Sequence, residues 1–417
     1  MPLSLSWGGL SRGRVMVFRP ETRQNKDLEY FRDSINRGNT LGETARQSAA
    51  PKTERENNVM TAPLRFGWFI PTSGDTTAIG DPSADRPPSM EMFERVALAA
   101  ERAGFEYALV PVQTLCYEAW ITCAMISAKT ERLKMLVAAR PGFIAPTLTA
   151  KMISTFDQLS KGRVYINLIA GGGAAELAAD GCFFGHDARY EVMDETVSLM
   201  KRVWTEEMPV THEGKHFKVE NAIVLPKPYQ RPHPPFFLGG MSEAAREVSA
   251  KHTNVHLFWG DTPERIAEDM KDIRTRAARY GREDEIQFGM RLQVIVREKE
   301  EDAWAAADRL IASAGDDHKK VIAELWEQSE SNTRMKELGK ADQFRIAPHL
   351  WSGITVVRPG AGVAVVGNPE QVAATLQQFV DIGCTDFCLS GYPHDEEAER
   401  FGRLVMPFFK ERREAAE

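Results

Sequence analysis

The sequence predicts a (β/α)8 barrel with insertions, filling most of a 417-residue chain. Three observations predict it. Short apolar runs alternate with helical periods, and the connections between them are short, which specifies a parallel sheet with helical crossovers. Eight such runs can be counted, the number that closes a barrel. The turn after the first run lacks the Gly-x-Gly-x-x-Gly of an open doubly wound sheet, the main alternative.

The first strand, 65–70, ends at Pro71-Thr72-Ser73-Gly74-Asp75. A helix follows over Met90–Ala103, with Met92, Phe93, Val96 and Ala100 at helical spacing and Gly104 as its stop. Strand 107–112 and helix 118–127 come next, then strand 133–139 and helix 145–159. Strand 164–170 precedes helix 190–206, and strand 235–238 precedes helix 242–252. The sixth strand and helix are 255–259 and 263–280, the seventh 288–296 and 302–314. Strand 386–390 is the eighth, and an acidic helix start follows His394.

Two segments break the rhythm. Residues 208–233 read as a small extra hairpin. Residues 315–366 are polar in their first half and Gly-rich at Arg358-Pro-Gly-Ala-Gly362, the pattern of a lid or a loop at a barrel mouth. Residues 1–59 carry no sustained apolar period, so we expect an unpacked extension without function, with Met60 as an alternative start. Residues 60–417 then form the barrel domain.

A net charge of -7 argues against nucleic acid or an anionic membrane as the main partner. The five cysteines form no Cys-x-x-Cys pair, and no His-Glu-x-x-His is present, so we expect no metal site. Odd, scattered cysteines suit a reducing compartment, and we expect a cytoplasmic protein.

Catalysis in such barrels sits at the carboxyl ends of the strands. Those ends offer Thr72 and Ser73, then Val112, Gln113 and Cys116, then Arg140, then Asn167 with Gly171-Gly-Gly173. Later strands offer Gly239-Gly240 with Ser242, Trp259, and finally Tyr392 and His394. A helix starting beyond Ser242 favours an anion such as a phosphate. In 288–296, Arg291 and Gln293 share one strand face while Met290, Leu292, Val294 and Val296 share the other. The apolar set suits the helices, so Arg291 and Gln293 should point inward, where a guanidinium needs a carboxylate or an anionic ligand.

From Phe66 to Phe409 the chain resembles the FMN-dependent alkanesulfonate monooxygenases of the luciferase-like superfamily. The resemblance lies in Phe-Ile-Pro-Thr-x-Gly-Asp (69–75), Cys-x-Glu-Ala-Trp (116–120) and Met-Leu-Val-Ala-x-Arg-Pro (135–141). It continues in Gly-x-Arg-Leu-x-Val-Ile-Val-Arg (289–297), Val-Arg-x-Gly-Ala-Gly (357–362) and Ser-Gly-Tyr-Pro-His (390–394). It implies reduced FMN delivered by a separate NAD(P)H-dependent flavin reductase, dioxygen as co-substrate, and cleavage of a sulfonate C–S bond to aldehyde and sulfite. It places the flavin on Val112, Gln113, Asn167, Glu176, Arg189, Tyr190 and Ser242, with Arg189, Tyr190 and Ser242 at the phosphate. It places Arg291 and Arg358 on the substrate's anionic head, Tyr392 and His394 on proton handling, and Cys116 beside the reacting oxygen. Ser73, Trp259 and Gln293 fall at the substrate. We expect a homo-oligomer, a dimer or tetramer.

Two departures bear on the substrate. The alkanesulfonate members carry a histidine where this chain has Ser73, and another where it has Gln293. Losing both imidazoles removes two groups that titrate near neutral pH. A dialkyl sulfone or another small substrate is therefore the alternative. Further readings are a deazaflavin-dependent oxidoreductase and a flavin-binding barrel without turnover.

Overall fold

In the computed structural model, residues 63–325 and 330–410 are described. The expected extension, residues 1–59, lies outside them.

Eight parallel strands close a barrel in the order expected. They are β1 (Arg65–Phe69), β4 (Tyr107–Val110), β5 (Lys134–Ala139), β6 (Val164–Leu168), β9 (Phe236–Leu238), β10 (Val255–Trp259), β11 (Gln287–Val296) and β15 (Cys384–Ser390). Each hydrogen-bonds its neighbour around the ring, and the β10–β11 and β15–β1 pairings close it. The intervening strands are short pairs, β2–β3 (Asp75–Thr76 with Asp85–Arg86) and β7–β8 (Val210–Glu213 with Lys218–Ala222), the second being the expected extra hairpin.

Strand alternation divides the side chains. Phe69, Tyr107, Leu109, Leu136, Tyr165, Phe237, Val255, Leu257 and Cys388 form the barrel interior. The alternate positions, such as Phe66, Ala108, Met135, Ile166 and Phe387, join the helices in the main core. Gly67 is required where it stands, because a Cβ there would lie 2.1 Å from the Tyr107 ring. The amino end of the barrel is sealed by Arg65, whose Nε and Nη2 each donate to Asp386 at 2.8 Å.

The helices follow from their ends. In α1 (Met90–Ala103), the Ser89 hydroxyl accepts from the Met92 N–H, and Gly104 ends the helix at φ 89°. In α2 (Ala119–Ser127), the Glu118 carboxylate accepts from the Trp120 and Ile121 N–H groups, so this residue caps the helix and lies outside it. Next come α3 (Pro146–Ser160), the short α4 (Ala174–Ala179) and α5 (His186–Thr205). Past the fifth barrel strand follow α6 (Glu243–His252), α7 (Pro263–Ala278) and α8 (Glu300–Ile311).

Over 315–366, where a lid or a loop is expected, the segment is not a structureless loop. It holds α9 (Asp316–Leu325), α10 (Glu330–Leu338) and the strands β12 (Arg345–Ala347) and β13 (Leu350–Trp351). Its end, β14 (Ala364–Gly367), is a fully buried sheet strand. The cause is the length of β11. Its first half pairs with β10 and β15, and its second half, Gln293–Val296, leaves the barrel and pairs with β14. β14 carries β13 and β12 antiparallel beyond it. Its apolar residues are buried: Met335 and Leu350 join the main core, and Trp351, Ile354 and Val357 pack with Ile295 of β11 and with Ala303, Ala307 and Leu310 of α8. Then α11 (Pro369–Asp381), with a capping box between Asn368 and Gln371, and α12 (His394–Leu404) complete the ring.

Candidate active site

Strand alternation places Arg291 and Gln293 inward, as expected, where β11 leaves the barrel. Arg291 is 6% exposed. Its Nη1 donates to the Leu292 carbonyl at 2.9 Å and to the Cys388 carbonyl at 3.4 Å. Its guanidinium lies 4.7 Å from the centre of the Phe69 ring. Among the described residues it forms no ion pair. Burial, and the like charge of Arg358, hold Arg291 below the usual guanidinium value despite Cys388 nearby.

Arg358 reaches the same place from the insertion. Its guanidinium stands 6.0 Å from the Tyr392 ring centre, and among the described residues its side chain makes no ion pair. The neighbouring backbone is tethered from two sides. His318 Nε2 donates to the Val357 carbonyl at 2.7 Å, and Gln293 Nε2 donates to the Ala361 carbonyl at 3.2 Å. Farther along, Arg334 of α10 grips Asp261, beyond β10, at 2.6 and 2.9 Å.

Tyr392 is partly buried between these cations. Burial raises its phenol above the usual range; Arg358 and Arg291 pull against that, and Asp75 adds to it. The phenol is therefore protonated at neutral pH and can donate. The Cys116 thiol is raised by burial against the hydroxyls of Thr72 and Ser73 and the charge of Arg358, so it stands as a neutral thiol in the same cluster. Trp259 pairs in register with Arg291 on the adjacent strand and is half-buried at the mouth.

His394 does not stand open to the mouth as a proton-handling residue would. It is 2% exposed, and its Nδ1 meets Asp75 Oδ1 at 2.7 Å. Its ring backs Tyr392 at 5.0 Å between centroids. Gln293 is likewise consumed within the protein. Its Oε1 accepts from the Ser390 hydroxyl at 2.6 Å, its amide serves Ala361, and it is 1% exposed. It ties β15 to the insertion.

The expected flavin residues divide in two. Asn167 points into the barrel from β6 and is buried. Ser242 caps α6 by accepting from the Ala245 N–H. The Tyr190 phenol faces that hydroxyl, and burial raises it against the Ser242 contact. Gly240, at φ 148°, leaves the space in which Tyr190 Oη sits 3.4 Å from where a Cβ would be. This hydroxyl pair above the first turn of a ten-residue helix suits an anion, because the first N–H groups of a helix lack partners within it. Val112 is half-buried and Gln113 exposed on the loop after β4. Arg189 and Glu176, however, are engaged elsewhere. Arg189 donates to the carbonyls of Ala170, Phe184 and Gly171 at 3.0, 2.9 and 3.1 Å, bracing the glycine loop. Glu176 accepts from Arg140 Nη2 at 2.5 Å.

Sequence reasoning missed Asp75 as a site residue. It begins β2, just past the first barrel strand, and is buried, as is Thr72, whose hydroxyl faces the Cys116 thiol. The only signal was an aspartate just past a barrel strand.

A closed parallel barrel thus carries at its carboxyl mouth two guanidinium groups without an ion pair among the described residues, with a phenol and a thiol beside them. Residues 64–386 match the luciferase-like monooxygenases, and the chain belongs to that family. The fold superposes on a riboflavin lyase with a TM-score of 0.69 at 20% identity, over 84% of this chain and 92% of that one. A long-chain alkane monooxygenase gives 0.65 at 20% identity, with coverage of 84% and 92%. The EDTA monooxygenase of a Chelativorans species gives 0.64 at 18% identity, with coverage of 84% and 94%. At these identities the likeness is one of fold. Among the described residues no helix is long and apolar enough to cross a membrane, and no group of side chains could hold a metal ion.

Proposed function

We propose that the chain is a two-component monooxygenase that cleaves the C–S bond of a small organosulfonate to an aldehyde and sulfite. Reduced FMN comes from a separate NAD(P)H-dependent flavin reductase. Bound reduced flavin supplies the activation of dioxygen. The observation that carries the reading is the pair Arg291 and Arg358, neither ion-paired among the described residues, converging on Tyr392. A buried guanidinium without a carboxylate needs an anion to offset its desolvation. A sulfonate has one charge and three acceptor oxygens for two such groups.

In this reading Tyr190, Ser242 and the start of α6 would hold the flavin phosphate, with Asn167, Val112 and Gln113 along the ring. The fit rests on the hydroxyl pair at the helix start and the inward amide of Asn167. A riboflavin lyase of the same fold was solved with a modified FMN, while an F420-dependent reductase and an F420-dependent alcohol dehydrogenase share the fold as well. Arg291 and Arg358 orient the anionic head, the protonated Tyr392 donates to oxygen that gains charge, and Trp259 and Phe69 exclude water. The test is sulfite release from a series of alkanesulfonates with reduced FMN and air. Sulfite that depends on both reduced flavin and dioxygen supports the reading, and no sulfite from any sulfonate rejects it.

A second reading has its own observation. The positions of the two expected imidazoles hold Ser73 and a Gln293 whose amide is engaged at both ends within the protein. That favours a neutral substrate such as a dialkyl sulfone, and sulfone consumption in the same assay decides it.

A further inference from the structure

We infer that Asp75 is a positioning residue for Tyr392, acting through His394. Its value to catalysis rests on the monooxygenase reading above, but its test does not use turnover. The two residues lie 319 positions apart, yet their side chains are 1% and 3% exposed and in contact. Asp75 grips His394 at two points. Its Oδ2 accepts the His394 backbone N–H at 2.8 Å, and its Oδ1 takes Nδ1 at 2.7 Å. A carboxylate only accepts, so Nδ1 is the donor. The Thr76 N–H, on Oδ1 at 2.8 Å, is the carboxylate's third donor. Trp68 Nε1 holds the His394 carbonyl from the other side at 3.0 Å. A backbone and a ring contact to one carboxylate fix both the position and the rotation of the imidazole.

The imidazole then serves as a backing. Tyr392 meets it edge-on at 5.0 Å and 76°, and Phe69 packs on it at 5.8 Å. Phe69 in turn carries the Arg291 guanidinium. Asp75 thus sits behind the donor phenol and, one ring further, behind one of the two cations. Burying a carboxylate is expensive unless several donors meet it, and three do here. Burial works to raise Asp75, and the contacts with His394 outweigh it, so the carboxylate is ionised. The charged groups facing the phenol are Arg358, Asp75 and Arg291.

The experiment uses the full chain without substrate. Asp75→Asn and His394→Asn are each made with and without Tyr392→Phe, and thermal melts verify folding. Ionisation of the Tyr392 phenol is read at 295 nm as the difference between each protein and its Tyr392→Phe partner. Sulfite binding by calorimetry probes the Arg291–Arg358–Tyr392 cluster. Asp75→Asn should move the phenol ionisation to lower pH, since a negative neighbour is gone. His394→Asn, which keeps that charge, should weaken sulfite at least fivefold, and less than twofold when Tyr392→Phe is already present. An unmoved phenol in Asp75→Asn overturns the inference. So does an equal sulfite loss in both backgrounds, the mark of a merely structural staple. If His394→Asn does not fold, Asp75→Glu replaces it, because it keeps the charge and displaces the imidazole. If the unaltered protein binds no sulfite, the anion reading fails while the phenol measurement still decides Asp75.

Discussion

Two arginines at a barrel mouth differ from two arginines on a surface because burial removes the water that would satisfy them. Each charge-assisted hydrogen bond to an anion contributes roughly 1.5–3 kcal/mol, or about one to two powers of ten in binding. Arg291→Ala and Arg358→Ala should therefore each lower kcat/KM for a sulfonate by at least about tenfold. Reduced FMN affinity should stay within about threefold, a shift under ~1 kcal/mol, in a fluorescence titration. Arg→Lys at either position should restore little, since lysine lacks the planar fork. Arg189 calls for a different outcome from the one its sequence context suggests. A phosphate contact would make Arg189→Ala hurt FMN more than riboflavin. Its guanidinium instead holds three loop carbonyls, so both ligands should weaken alike, and a selective loss of FMN would show otherwise.

At the level of the element, the fork in β11 decides where the chemistry sits. Leaving the barrel at Gln293 lets one strand carry Arg291 at the mouth and also found the sheet that steadies Arg358. The ion pair of Arg334 with the 3%-exposed Asp261 anchors α10 over the same mouth. Asp261→Asn should raise amide exchange over 330–338 and divert reduced flavin to hydrogen peroxide by admitting water; unchanged exchange and unchanged peroxide yield would contradict the anchoring role. Gly67→Ala should destabilise by about 1–3 kcal/mol in chemical denaturation, because the new methyl meets the Tyr107 ring. The eight barrel strands were legible in the sequence because each is an apolar run of strand length between turn residues. The inward face of Arg291 and Gln293 was legible too, since alternation has a fixed period. β14 was not, because its run Ala-Val-Val-Gly follows a glycine-rich loop and looked like the tail of an insertion. The fates of His394, Gln293, Glu176 and Arg189 were illegible for another reason. Their residue types permit both ligand and structural roles, and only the fold says which partner arrives first. Asp75 meets His394 across nearly the whole chain, and no local pattern encodes that contact.

For the whole molecule, acid stability is set by histidines buried in neutral form. Burial, then the charge of Arg246, pulls His256 down to about 3, and burial pulls His233 down to about 4. Both lie below the ordinary value near 6.5 that holds in the unfolded chain. Between those limits the unfolded state binds more protons, so stability is complete above about pH 6.5 and is lost as pH falls toward the folded values. His256 alone makes each pH unit in that window worth about 1.4 kcal/mol. Asp194, lowered to about 2 by His252 and Lys251 against burial, adds a loss below about pH 4. The melting temperature should be level from pH 8 to 7 and fall steeply from 6.5 to 4, with a shallower fall in His256→Asn; a flat profile would contradict this. The barrel, its fork and its closed amino end all serve one arrangement, the anion site proposed at the carboxyl mouth. The most direct measurement of that is kcat/KM for a sulfonate against a neutral sulfone of the same carbon skeleton, in the unaltered enzyme and in Arg291→Ala. The account predicts a preference of at least about tenfold for the sulfonate, the worth of one charge-assisted bond, that collapses in Arg291→Ala. Equal turnover of both, unmoved by the substitution, would show that the two arginines do not hold the substrate.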